Sequence, residues 1–173
     1  LMDADSGIVL YEKNSGEKCY PASVTKLMTA LLIAENANLS DTLTVSANAV
    51  SSVKYGDASA GLKTGEEFSV EQALNMMLIK SANDIAYALG EHVGGSVANF
   101  ANMMNKRAAE LGCLNTHFTN ASGLTDVNHY TTAYDMALIC RAVLDYPVIM
   151  NAISYKKSYS VPPTNKTSDT RYY

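Results

Sequence analysis

The sequence predicts an α+β fold, built as a hairpin, then a mostly helical block, then the start of another strand. Three observations predict it. Short apolar runs broken by Asp5-Ser6-Gly7 open the chain, capped segments of helical period fill its middle, and a Tyr/Ser/Lys alternation through Lys157, Tyr159 and Val161 closes it. No internal repeat and no linker divides the 173 residues, a length sufficient for one sizeable core. The expectation is a single domain over residues 1–173 with an incomplete antiparallel sheet.

The elements follow in order. Leu1-Met2-Asp3-Ala4 and Ile8-Val9-Leu10-Tyr11 flank the first turn as a hairpin with a short first strand, and Asn14-Ser15-Gly16 is a second turn. A helix runs from Ser23 to about Asn36, because Leu27, Met28, Ala30, Leu31, Leu32 and Ala34 form a broad apolar face. Residues 41–45 read as a short strand, and residues 46–65 as mixed, small and Gly-containing. Ser69 with Gln72 forms a capping box for a helix to Lys80. A second helix covers Asn83 to Val93 and stops at Gly94-Gly95. Ser96 caps a third, whose Val97, Phe100, Met103 and Met104 make a packing face and which ends at Gly112. Asn115 to His129 is polar and turn-rich. Thr132 and Asp135 form another capping box, with a helix to Asp145 before Pro147.

Composition narrows the function. A net charge of −4 with low charge content argues against a nucleic-acid partner. No run of about 18 apolar residues is present to span a membrane. No signal peptide is visible, and a start at Leu1 leads us to expect processing or trimming. Cys19, Cys113 and Cys140 have no metal-ligand spacing and, being three, give no disulfide framework. Cys140 is expected to be a small buried hydrophobe. His92, His117 and His129 are scattered and form no ligand set, each reading as a surface or packing residue, so no cofactor is expected.

The chemistry concentrates in Ser23-Val24-Thr25-Lys26. Residues three apart at a helix start share a face, so the Lys26 amine can take the proton of the Ser23 hydroxyl. Burial and the helix dipole there would both favour a neutral amine. The spacing also occurs at Ser51–Lys54, in a polar stretch, and at Ser154–Lys157, leading into strand-like alternation. The alternative for Ser23 is an N-cap, with Lys26 a solvated first-turn charge. Ser81-Ala82-Asn83 lies between two helical segments, where a hydroxyl that relays a proton and an amide that holds a lysine and a carbonyl can face one cleft. Its alternative is a plain N-cap at Ser81. The same tripeptide recurs at Ser46-Ala47-Asn48.

S-x-x-K followed by S-x-N makes two thirds of a set shared by penicillin-binding proteins and related β-lactamases. The chain resembles the D-alanyl-D-alanine carboxypeptidases of the low-molecular-mass penicillin-binding class. The likeness extends through residues 3–7 and 10–14, Tyr20-Pro21-Ala22 with residues 23–30, Ser81-Ala82-Asn83-Asp84, Asn120-Ala121-Ser122-Gly123-Leu124, and residues 129–137. It implies a β-lactamase/transpeptidase-like fold with Ser23, Lys26, Ser81 and Asn83 as catalytic residues. Ser23 would attack the D-Ala-D-Ala carbonyl and Lys26 accept its proton. Ser81 would pass a proton to the leaving D-alanine, and Asn83 orient Lys26 and the substrate amide. Ser122-Gly123-Leu124 would border the cleft or be an ordinary turn.

The resemblance also implies peptidoglycan pentapeptide stems and β-lactams as ligands. It implies an extracytoplasmic place in the bacterial cell envelope, and membrane anchoring through a C-terminal region absent here. Lys63-Thr64-Gly65 precedes Ser81 and runs into Glu66-Glu67, so it reads as a coincidental turn and not the family's third motif. The strand bearing that motif is expected beyond Tyr173. The isolated chain is then expected to be a poor or inactive enzyme, either a piece completed by a second fragment or a trimmed one. The alternatives are a serine β-lactamase, for which the 115–129 loop offers Asp126 but no Glu, and a non-catalytic penicillin- or muropeptide-binding sensor.

Overall fold

The computed structural model describes residues 1–154 and 158–173, so Lys157, with its share of the Ser154–Lys157 spacing and of the closing alternation, lies outside the described residues. Among the described residues the chain is a cluster of seven α-helices carrying short antiparallel strand pairs.

A 3-10 turn at Ala22–Thr25 runs directly into α1 (Lys26–Asn36). Met28, Ala30, Leu31, Leu32 and Ile33 of α1 are all buried. A helix apolar on most of its circumference must sit at the centre. It does: α3 (Val70–Lys80), α4 (Asn83–Gly94), α5 (Val97–Glu110), α6 (Ala133–Val143) and α7 (Pro147–Ile153) all contact it. α3 starts on the expected capping box, with Ser69 Oγ accepting from Gln72 N at 3.1 Å and Gln72 Oε1 from Ser69 N at 3.0 Å. α4 ends at Gly95, whose φ of 69° is the left-handed exit from a helix. Ser96 and Thr132 accept the Asn99 and Asp135 amides to start α5 and α6.

The expected strand near residue 43 is β1 (Thr42–Thr44), paired antiparallel with β2 (Glu67–Ser69) so that Leu43 faces Phe68 inside the core. β3 (Ser160–Val161) pairs antiparallel with β4 (Arg171–Tyr172). No single helix is long and apolar enough to cross a membrane; α6 and α7 pass only as a pair bent by 110°.

Several expectations need correction. The opening hairpin is reduced to a single Met2–Val9 bridge, with Ile8, Leu10 and Tyr11 exposed, because a two-residue-wide ribbon without a third strand is marginal. Thr132 and Asp135 make half a capping box. The Asp135 carboxylate accepts from Asn115 N at 2.8 Å and Thr116 Oγ1 at 2.7 Å instead of returning to its own N-cap. Residues 46–65 contain α2 (Ala47–Ser51), which Ser46 caps by accepting from Ala49 N. Five residues are too few to show a helical period. Pro147, read as a stop, opens α7, where its missing N–H is not needed. Cys140 is exposed; the buried thiol is Cys113, which burial pushes up to about 12.

The α4–α5 corner is closed by glycine for a steric reason. A Cβ on Gly94 would lie 2.7 Å from Phe100 N and 2.8 Å from Phe100 Cβ. Alanine ordinarily improves a helix, but here the crowding dominates, and Gly94→Ala is expected to destabilise the fold by about 1–3 kcal/mol. Urea denaturation checks this as a lower midpoint at unchanged slope.

Candidate active site

The site is built on the 3-10 turn and the first residue of α1. Ser23 is exposed while Lys26, three residues on, is only 3 % exposed. Lys26 Nζ lies 3.2 Å from Ser23 Oγ, 2.7 Å from Asn83 Oδ1 and 2.8 Å from the Ser122 carbonyl oxygen. A neutral amine carries two N–H donors and one lone pair. The carbonyl oxygens of Asn83 and Ser122 only accept, so they take the two N–H bonds, and the lone pair is left for the Ser23 hydroxyl proton.

The surroundings favour that neutral form. Burial lowers Lys26 from 10.5 to about 8, against a smaller opposing attraction from Asp84. A displacement of that size costs the buried ammonium roughly 3 kcal/mol. The unfolded chain binds more protons between about 8 and 10.5, so this group's cost to stability grows as pH falls through that window. The helix dipole need not be invoked.

Each partner is held by its own local structure. Asn83 is the first residue of α4, and its N–H donates to Ala58 O at 2.8 Å. Asp84, next to it, is 2 % exposed and accepts from Ser59 Oγ at 2.6 Å and Ala60 N at 3.0 Å. The 58–62 segment is thereby strapped onto the start of α4. Asn120 folds the 120–124 loop. Its Oδ1 accepts from Ser122 N, Ser122 Oγ and Gly123 N, and its Nδ2 donates to Leu124 O at 3.0 Å. Thr29 of α1 donates to Ala121 O at 2.7 Å, which sets the loop against the helix.

The backbone is tight where the loop meets the turn. Ala22 has φ 48° and Gly123 has φ 86°. A Cβ on Gly123 would lie 1.8 Å from Ala22 O and 2.9 Å from Thr25 Oγ1, so only glycine fits there. A non-glycine residue in the left-handed region costs of order 1–3 kcal/mol, and such strain clusters at functional sites.

Of the four residues singled out from sequence, the fold brings Ser23, Lys26 and Asn83 together. Neither Ser23 nor Ser81 is an N-cap. Pro21 precedes the turn in that position, and Ser81 closes α3 at φ 57°, ψ 30°, leaving Ala82 as the N-cap of α4. Ser81 is half-buried, two residues before Asn83, and makes no side-chain hydrogen bond to Ser23 or Lys26 among the described residues. The decoys separate cleanly. Ser51 Oγ caps back to Asn48 O, Lys54 is exposed, and Ser46 caps α2. Lys63-Thr64-Gly65 is the turn before β2; Lys63 Nζ donates to Lys166 O and Gly65 O accepts from Asn165 Nδ2.

Sequence reasoning left Ser122 undecided, and it supplies a main-chain carbonyl to Lys26. It missed Asp84, Asn120 and Thr29 as positioning groups. For the carbonyl no side-chain signal exists; for Asn120 the turn-forming run to Gly123 was the available sign.

Comparison with known proteins gives the family. Residues 1–171 match the Peptidase S11 family, described as D-alanyl-D-alanine carboxypeptidase. The chain is 40% identical over 171 residues to D-alanyl-D-alanine carboxypeptidase DacF of Bacillus subtilis, covering 96% of this chain and 43% of that protein. It is similar in structure to the D-alanyl-D-alanine carboxypeptidase DacD of Francisella tularensis, with a TM-score of 0.83 and 34% identity over 91% of this chain and 39% of that one. For penicillin binding protein 5 of Haemophilus influenzae the TM-score is 0.86 with 30% identity, over 99% and 50%. The chain thus spans about half the length, or less, of these relatives. By its match over nearly every residue and its identity to a curated relative, the chain belongs to the D-alanyl-D-alanine carboxypeptidase family, Peptidase S11.

Proposed function

We propose that this chain carries the acyl-transfer centre of a serine-type D-Ala-D-Ala carboxypeptidase. It would remove the terminal D-alanine from peptidoglycan stem peptides and be acylated by β-lactams. The observation that carries the reading is the pair of carbonyl oxygens, from Asn83 and Ser122, that cradles Lys26 Nζ with Ser23 Oγ on its open side. Lys26 takes the Ser23 proton as Ser23 Oγ attacks the carbonyl of the scissile D-Ala-D-Ala bond. The Ser23 N–H lies in the first turn, where helix donors have no intrahelical partner, and stabilises the oxyanion. The proton passes to the departing D-alanine amine, with Ser81 as relay, and Asn83 orients both Lys26 and the substrate amide. Water then attacks the acyl-enzyme and frees Ser23. Such an enzyme works outside the cytoplasm in the cell envelope. Lys63-Thr64-Gly65 takes no part.

The serine β-lactamase reading gains nothing from the structure, since Asp126 is exposed and its carboxylate accepts from Asn128 N at 2.7 Å. Fluorescent penicillin with mass spectrometry of the complete protein tests the proposal. A long-lived adduct on Ser23, lost in Ser23→Ala, is expected together with D-alanine release from a pentapeptide. Rapid β-lactam turnover would move the protein to the lactamases, and an adduct without D-alanine release would make it a sensor.

The acylation rate should rise with pH and level off above about 8, following deprotonation of Lys26. Stopped-flow measurement from pH 6 to 10 checks the sign; a rate that falls across this range would oppose it. Gly123→Ala should lower acylation by at least about tenfold, because its Cβ must displace the Ala22 carbonyl beside Ser23. The same kinetics, with a melting curve to show the variant is folded, test that.

A further inference from the structure

One buried ionisable group beside the S-x-x-K turn has no place in the chemistry above. His129 is 2 % exposed, and Thr25, the residue before Lys26, is fully buried. His129 Nε2 lies 2.8 Å from Thr25 Oγ1. On the other side of the ring, Thr119 N–H points at Nδ1 from 3.1 Å, with Thr119 Oγ1 3.3 Å away. A backbone N–H can only donate, so Nδ1 carries the lone pair and the ring proton sits on Nε2, donated to Thr25. The imidazole therefore bridges the start of the 119–124 loop to the turn bearing Ser23. Phe118 packs its edge against the ring at a centroid distance of 5.5 Å.

We propose that His129 is a positioning residue for acylation, holding Thr25, and through it the Ser23–Lys26 pair and the Ser122 carbonyl, only while its ring is neutral and protonated on Nε2. This rests on the acyl-transfer reading above. Protonation would put an N–H on Nδ1 against the Thr119 N–H, which loses its acceptor, and would swing the new donor toward Thr119 Oγ1, displacing the loop from the turn. Thr25 Oγ1 is also the atom a side chain at residue 123 would strike, so little room exists for the pair to readjust. Burial holds the ring below its usual 6.5, with Asp126 pulling upward and His117 pushing downward. His117 is itself tied to Asn128 O at 2.7 Å. The neutral form thus prevails near pH 7 and is lost in acid.

The pH profile separates this role from simple packing. Below about 8 the log of the acylation rate should fall with a slope of about 1 as Lys26 gains its proton, steepening to about 2 below the His129 pKa. In the complete protein, His129→Gln can still donate to Thr25 and accept from Thr119 but cannot titrate. It should keep the first limb and lose the second. His129→Ala should lower the rate about tenfold at pH 8, and the Gln variant should restore most of it. 15N NMR of the same protein, uniformly labelled so that ring nitrogens and backbone amides are both seen, supplies the second readout. The Thr25, Thr119 and Gly123 amides should shift with the midpoint of the His129 ring. An unchanged acid limb in His129→Gln, or those amides unmoved while the ring titrates, would overturn the proposal. Absence of any adduct on Ser23 would instead remove the acyl-transfer reading, and the NMR midpoints would still decide whether His129 controls the turn.

Discussion

A lysine amine taken out of water and shared among three oxygens is the constraint on which this structure turns. Lys26 sits at the first residue of the most deeply buried helix, where a permanent ammonium would be costly and a neutral amine is fully satisfied. The three oxygens come from stretches of chain far apart in sequence, at Ser23, Asn83 and Ser122. Holding them together is the task of α1, α4 and the 120–124 loop, and much of the remaining architecture keeps those three in register.

That register is enforced by polar anchors, not by apolar packing alone. Asp84 straps the 58–62 segment to the start of α4. The same segment is tied to the end of the chain, where Tyr173 Oη donates to Ala60 O at 3.2 Å and Arg171 pairs with the fully buried Glu66. Thr164 also donates to Glu66, at 2.6 Å. At the far end of α1, Glu35 receives Arg107 of α5 through both carboxylate oxygens and Tyr146 at 3.0 Å. A buried carboxylate stripped of one partner is far costlier than an exposed one, so these contacts specify one arrangement of the elements. The serine end of the turn remains open to solvent while the lysine amine is enclosed, the arrangement that the proposed acyl transfer needs.

The helices were legible because their signals are local. The Ser69/Gln72 box, the Gly94-Gly95 stop and the Ser96 cap each act within one turn of chain, and all three appear as read. The misreadings share a cause as well. Asp135 was assigned to its own N-cap but turned to Asn115 and Thr116, a choice set by tertiary neighbours. The opening hairpin has apolar runs on both sides of its turn but, among the described residues, pairs only at Met2–Val9, and sequence pattern alone does not add a third strand.

The residues themselves determined the chemistry on offer: a hydroxyl and an amine three positions apart at a helix start, with an amide carried by a later helix. Spacing of this kind is a covalent fact, and helical geometry turns it into proximity without outside help. Between the two described copies of S-x-x-K the difference arises in three dimensions, because Lys26 is drawn inside and met by acceptors from elsewhere while Lys54 is exposed. The Ser122 carbonyl and the His129 bridge belong wholly to that level. A main-chain oxygen is identical at every position, and an imidazole takes its tautomer from whatever faces it; both acquire meaning only when long-range packing chooses their neighbours.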